Sequence, residues 1–145
     1  MSTPAVVSDC RIIAFTYHDD AAGRMTILER LGEFPLDVRR AVVITNVPSG
    51  ASREAHANMQ TPELVLCVAG AVTLRVEDGR SSRSIPLSSQ TGAVLVPPTL
   101  WMELRDFVPG TVVIILADSD DHGSLHANIR EHTRWLRMRG FSHVA

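Results

Sequence analysis

Apolar residues recur along this chain in short bursts, several of them strictly alternating with polar ones, and clusters of Gly, Pro, Asn and Asp separate the bursts. Such period-two patterning predicts half-buried β-strands. Leu74 and Val76 face one way while Thr73 and Arg75 face the other, and Arg40, Val42 and Ile44 share a face within the β-branched run from Val38 to Val47. Pro48, Ser49 and Gly50 close that run. Ahead of it, a short polar opening (MSTPAVVSDC) leads into RIIAFTYHDD, read as a strand leaving into a turn. Gly23, a short strand around Met25 to Glu29, and a break at Pro35 follow. Downstream, Asp78-Gly79 predicts a two-residue hairpin. Gln90-Thr91-Gly92 and Pro109-Gly110 predict turns around the strands AVLVPP, Trp101 to Phe107 and the fully apolar TVVIILA. Turn signals at roughly 8 to 12 residue intervals indicate an all-β sandwich or barrel.

Only the tail changes period. From about Ser124, Leu125, Ile129, His132 or Thr133, and Leu136 recur at spacings of three and four, which predicts one amphipathic helix capping the domain. Asp120 and Asp121 sit where anions favour a helix start. No repeat, low-complexity tract or linker divides the sequence, so residues 1–145 are expected to form one domain.

Composition narrows the function classes. With 45% hydrophobic and 21% charged residues and a net charge of -2, the chain reads as an ordinary globular domain. It has no basic run longer than Arg39-Arg40, so a nucleic-acid partner is not expected, and its scattered arginines suit a small anion. No apolar run approaches the roughly 20 residues that span a bilayer, and no leader-like segment opens the chain. A cytoplasmic protein without a membrane partner is therefore expected. Cys67 lies inside LVLCVA and reads as a small buried hydrophobe.

Candidate chemistry concentrates in GASREAHANMQTPELVLCVAG, residues 50–70. The spacing of Gly50, His56, Asn58, Glu63 and Gly70 resembles the first motif of the cupin superfamily, with Asn58 where that motif carries a second histidine. Further segments in matching order, GRMTILERLGEFPLDVRRAVVI, LVLCVAGAVTLRVEDG and VPPTLWMELRDFVPGTVVIILADSD, with Ile129-Arg130 in the tail, resemble a narrower family: the dTDP-4-keto-6-deoxyhexose 3,4-ketoisomerases, or WxcM-like sugar ketoisomerases. The resemblance runs roughly from Arg11 to Arg139. It implies an all-β fold, a cupin-type double-stranded β-helix (jelly-roll barrel) with a short C-terminal helix, and a homodimer in deoxysugar or secondary metabolism. It also implies a metal-independent isomerase without cofactor, which moves a keto group from C4 to C3 of a dTDP-sugar through an enediol. Such chemistry needs a base and donors for a developing oxyanion.

The resemblance assigns catalytic positions to His56, Asn58 and Glu63, and substrate-binding positions to Arg40, Arg53, Trp101, Met102 and Val42. Asn58 replaces the histidine that the family is thought to use as base. An amide has no useful basicity, which leaves His56 as the candidate acid/base, with Asn58 and Glu63 polarising or orienting. Arg40 and Arg53 suit a diphosphate because a guanidinium fork matches phosphate oxygens. Each residue also has a plainer reading: a turn or rim residue for Asn58, strand-start packing for Trp101, a solvated arginine for Arg53, surface for Tyr17 and His18, and helix surface for His122, His126, His132 and His143. A metal held by His56, Asn58 and Glu63 would lack a further histidine after the Pro-Pro turn, a thin donor set. Two other functions stay open: a cupin isomerase or cyclase acting on another small metabolite, since Val42 and Met102 make the pocket less polar, and a non-catalytic small-molecule-binding cupin.

Overall fold

The computed structural model describes residues 4–28, 36–118 and 128–141. Twelve strands and one helix follow in order: β1 Arg11–Ile13, β2 Thr16–Asp20, β3 Gly23–Ile27, β4 Arg40–Ile44, β5 Arg53–Asn58, β6 Glu63–Ala69, β7 Ala71–Glu77, β8 Ser82–Ser88, β9 Ala93–Val96, β10 Trp101–Arg105, β11 Val112–Ala117, β12 Asn128–Ile129 and α1 His132–Met138. Ten strands form two antiparallel five-stranded sheets, ordered β1-β9-β6-β11-β4 and β12-β5-β10-β7-β8, while β2 and β3 pair only with each other. From β4 onward the chain crosses from one sheet to the other at each step, except at the β7–β8 hairpin where it turns back. That winding is a jelly roll, and among the described residues no ladder joins the two sheets.

The alternating pattern decides what each face holds. Val65 and Cys67 of β6, Val113 and Ile115 of β11, Val72, Leu74 and Val76 of β7, and Met102 and Leu104 of β10 point between the sheets and form the main core. Their neighbours Leu64, Leu66, Ile114 and Leu116 face outward, where Leu36 and Phe15 pack over them. Outside the second sheet, Trp101, Ala57, Ile129 and Trp135 make a third cluster that fastens α1. Cys10 and Cys67 are both buried free thiols.

Gly70 turns β6 into β7 at φ +75, and a Cβ there would lie 2.7 Å from the Thr111 Cα, so the crossover is restricted to glycine. Thr99 is held at φ 81, an unfavourable region for a β-branched residue. Its hydroxyl accepts from the Ala5 amide and from Arg139 Nη1, and its carbonyl accepts from Trp135 Nε1. Thr99 thereby joins the start of the described chain, the helix and the loop before β10.

Several sequence expectations change. Asp78-Gly79 is not a two-residue hairpin, because β7 ends at Glu77 and β8 starts at Ser82. The Asp78 carboxylate accepts the amides of Arg80, Ser81 and Val7, which builds a longer loop around a buried side chain. RIIAFTYHDD divides into β1 and β2, which pair with different strands. The strand expected to run to Phe107 stops at Arg105, where Asp106 takes φ 58, and the β-branched run is extended only over Arg40–Ile44. Asn128 and Ile129 lie in a strand paired with β5, not in the helix, which begins at His132. Tertiary pairing overrides the helical spacing there. Glu29, Pro35, Asp120, Asp121, Ser124 and Leu125 lie outside the described residues, as do His122, His126 and His143.

Candidate active site

At the edges formed by β4 and β12 the two sheets leave an open cleft of about 300 Å³, counting its mouth. One register row of the first sheet sets its wall: Arg40 pairs with Ala117, which pairs with Glu63, so an arginine and a glutamate flank one small side chain. Val42 and Ile115, one inward position further along, add apolar wall. The opposite side comes from Glu54 and His56 of β5, Asn128 of β12 and Arg130 just beyond it. Two guanidinium groups, two carboxylates and one imidazole thus converge on a space with a partly apolar lining, the ordinary composition of a small-molecule site.

His56 is only 3% exposed. Its Nε2 lies 2.7 Å from Glu63 Oε1 and its Nδ1 2.6 Å from the Glu54 carbonyl oxygen. Carbonyl and carboxylate oxygens only accept, so the ring satisfies both contacts when both nitrogens carry protons. Burial alone pulls the His56 pKa down, but the Glu63 hydrogen bond and charge, with the Glu54 carbonyl and charge, outweigh it and leave the pKa above the ordinary value. The two contacts and the upward shift both favour the protonated ring beside Glu63.

This pairing makes stability depend on pH in a definite sense. A group whose pKa is raised on folding contributes stability that is complete below its unfolded value of about 6.5 and is lost as pH rises through the folded value. Thermal unfolding is expected to show a falling midpoint as pH rises above about 6.5, and a His56→Gln variant is expected to lack that segment of the curve. An unchanged segment in the variant would place its origin elsewhere.

The structure brings together some of the expected residues and separates others. Arg40, Val42, His56 and Glu63 line the cleft. Asn58 is buried, but its Oδ1 accepts the amides of Gln60 and Thr61, so its carbonyl is committed to the turn after β5. Arg53 lies outside the lining and has a 55% exposed side chain, 3.4 Å from Glu54 Oε1. Trp101 does not enter the cleft: strand alternation turns it to the outer face, where its ring sits 5.7 Å from Trp135 and edge-on to His132 at 5.0 Å. Met102 pairs with His56 in register and is fully buried in the core beside it, without lining the cleft. Tyr17 and His18 belong to the exposed β2–β3 hairpin, with the Arg24 guanidinium 4.1 Å from the Tyr17 ring centre. His132 lies at the start of α1, 2.9 Å from Glu77 Oε2.

Two charged residues of the cleft, Arg130 and Glu54, were not assigned to the site from sequence. Arg130 is placed by the β12 pairing, which its position within a helical spacing concealed. Glu54 is placed by a bulge. Between the pairs Met102 with His56 and Leu104 with Arg53, β5 has two residues and β10 has one. Among the described residues, no three or more His, Cys, Asp or Glu are grouped to hold a metal ion.

The sequence and the fold match known proteins over most of the chain. The curated TDP-4-oxo-6-deoxy-alpha-D-glucose-3,4-oxoisomerase of Aneurinibacillus thermoaerophilus is 24% identical over 132 residues, 88% of this chain and 95% of that protein. A 3,4-ketoisomerase from Helicobacter canadensis superposes with a TM-score of 0.83 at 26% identity, over 91% of this chain and 98% of the other. A His-to-Asn mutant of the 3,4-ketoisomerase QdtA from Thermoanaerobacterium thermosaccharolyticum, solved with TDP-4-keto-6-deoxyglucose, superposes with a TM-score of 0.84 at 22% identity, over 92% and 95%. Residues 8–139 match the family described as FdtA, WxcM-like, C-terminal, and a match of that extent, on a jelly roll whose cleft retains the motif histidine, makes the chain a member of the WxcM-like (FdtA) family.

Proposed function

We propose that the chain is an isomerase that shifts the keto group of a dTDP-4-keto-6-deoxyhexose from C4 to C3. The observation that carries this is the cleft itself: a buried imidazolium–carboxylate pair, His56 with Glu63, in a cavity also lined by Arg40 and Arg130. Relatives named as 3,4-ketoisomerases and a 3,4-oxoisomerase support the substrate class.

Arg40 and Arg130 hold the diphosphate, which two guanidinium groups match in charge and geometry. Val42 and Ile115 face the deoxysugar, whose methyl group suits an apolar wall. As an enediolate develops, negative charge grows on the C4 oxygen, and the positive charge of the His56 ring beside it stabilises it. Glu63 holds the ring in place and keeps it charged. Met102 packs beside His56 and fixes the ring's position. Asn58 acts through the turn that carries the chain from β5 to β6.

The proposal extends to a cytoplasmic homodimer. Val43 and Val68 on the outer face of the first sheet are 60% and 40% exposed, an apolar surface suited to a second copy. Among the described residues no helix is long and apolar enough to cross a membrane.

Incubation of the purified protein with dTDP-4-keto-6-deoxyglucose in deuterated buffer, followed by NMR, tests the activity. The expected result is a 3-keto product, with deuterium at C4 in the fraction of turnovers in which the base exchanges its proton with solvent before returning it. Unchanged substrate, with no exchange of the C3 proton, would refute the reading.

A further inference from the structure

The reading above leaves open which group takes the C3 proton, and the geometry removes the obvious candidates. His56 has an acceptor against each ring nitrogen, so in its paired state it offers no lone pair. The Asn58 amide has no basicity, and its oxygen is committed to two backbone amides. Glu63 is engaged by His56 at 2.7 Å.

We infer that Glu54 is the catalytic base. The inference rests on the isomerase reading and names a residue role within it. Glu54 lines the cleft, its side chain is 16% exposed, and its ion pair with Arg53 is long at 3.4 Å. Glu54 and His56 lie two residues apart on β5 and line the same cleft. Its backbone supports the same conclusion. Glu54 has φ 58 at the bulge, a left-handed conformation that costs a non-glycine residue free energy and is found preferentially at functional sites. The bulge also aims the Glu54 carbonyl at His56 Nδ1, so one residue orients the ring and carries the base.

The proton movements balance without an outside oxidant or reductant. The C3 proton passes to a Glu54 carboxylate oxygen, the C–H electron pair forms the C3–C4 double bond, and the C4 carbonyl oxygen becomes an oxyanion stabilised by the charge on His56. The O3 proton of this enediolate passes to the adjacent C4 oxygen, the C3 carbonyl forms, and C4 takes the proton from Glu54. Carboxylates serve as bases for protons next to a carbonyl in other enolising isomerases.

The test compares Glu54→Gln, Glu54→Asp and Glu54→Gly with the parent, measuring kcat, C3 proton exchange, TDP affinity and the pH profile of kcat/KM. Loss of the carboxylate in Gln is expected to lower kcat about 10²- to 10⁴-fold while TDP affinity is retained. Asp is expected to retain more activity than Gln. Glycine, which accepts φ 58 freely, is expected to fold about as stably as the parent and to be as slow as Gln. The acid limb of the parent's pH profile is expected to vanish with the carboxylate. An active parent with a Gln variant retaining more than about a third of kcat, or the same acid limb, would overturn the base assignment alone. A parent that neither exchanges the C3 proton nor forms product would overturn the isomerase reading and this role with it.

Discussion

Replacing His56 with Leu is expected to destabilise the protein by about 3–5 kcal/mol, the usual cost of removing one partner from a buried ion pair. It is also expected to lower kcat/KM by about 10²- to 10⁴-fold. Glu63 is 8% exposed and 2.7 Å from the ring, so leucine leaves a buried carboxylate without its donor. The second mutation separates the two effects. A His56→Leu/Glu63→Leu double variant is expected to recover most of the stability, because a buried pair exchanged for hydrocarbon is often neutral or better. Its activity is expected to stay low, since the charge that stabilises the C4 oxygen is gone. Urea unfolding and steady-state kinetics on the four proteins of the cycle give both numbers. Independent, additive stability losses would show that the two groups are not coupled in solution.

A comparably large effect is expected far from the chemistry. Trp135 is fully buried, its Nε1 donates to the Thr99 carbonyl at 2.8 Å, and it packs with Trp101 and Ile129. Trp135→Ala is expected to cost about 3–5 kcal/mol, the range for emptying so large a site. A seven-residue helix has little stability of its own, so α1 depends on this anchor. The functional consequence follows through Ile129. It shares the cluster and belongs to the two-residue strand β12, which carries Asn128 and, just beyond, Arg130 to the cleft. With the anchor gone, Arg130 is expected to be less well placed and KM for the sugar nucleotide to rise more than kcat falls. Trp135→Phe, which keeps the ring volume in part, is expected to show a milder version of both. An Ala variant with unchanged KM would sever the link between the helix and the cleft.

Much of this architecture is legible in the residues because strand alternation is a local signal. The inward sets Arg40, Val42, Ile44 and Leu74, Val76 follow from period two alone, and the resemblance supplies the order in which the strands wind. The errors occur where long-range contacts decide. Trp101 sits beside a motif and reads as a ligand platform, but its parity on β10 sends it outward to a helix whose docking no local pattern reveals. Arg130 follows Asn128 and Ile129, whose helical spacing is overridden by pairing with β5. Arg53, expected at the substrate, falls outside the lining and Glu54 enters it, where a bulge with one extra residue opposite Glu103 shifts the register within β5. That bulge left a trace in the backbone, where Glu54 takes a glycine-like φ of 58. A carboxylate two residues before the motif histidine was the available signal in the sequence. Asn58 is the converse case, a polar residue at a motif position whose side chain is used by a turn.

A crystal structure with TDP-4-keto-6-deoxyglucose bound tests the account most directly. The diphosphate is expected against Arg40 and Arg130, with the C4 oxygen within hydrogen-bond reach of His56 and C3 facing the Glu54 carboxylate. A nucleotide bound elsewhere on the protein, or a sugar whose C3 and C4 lie beyond the reach of both side chains, would contradict it.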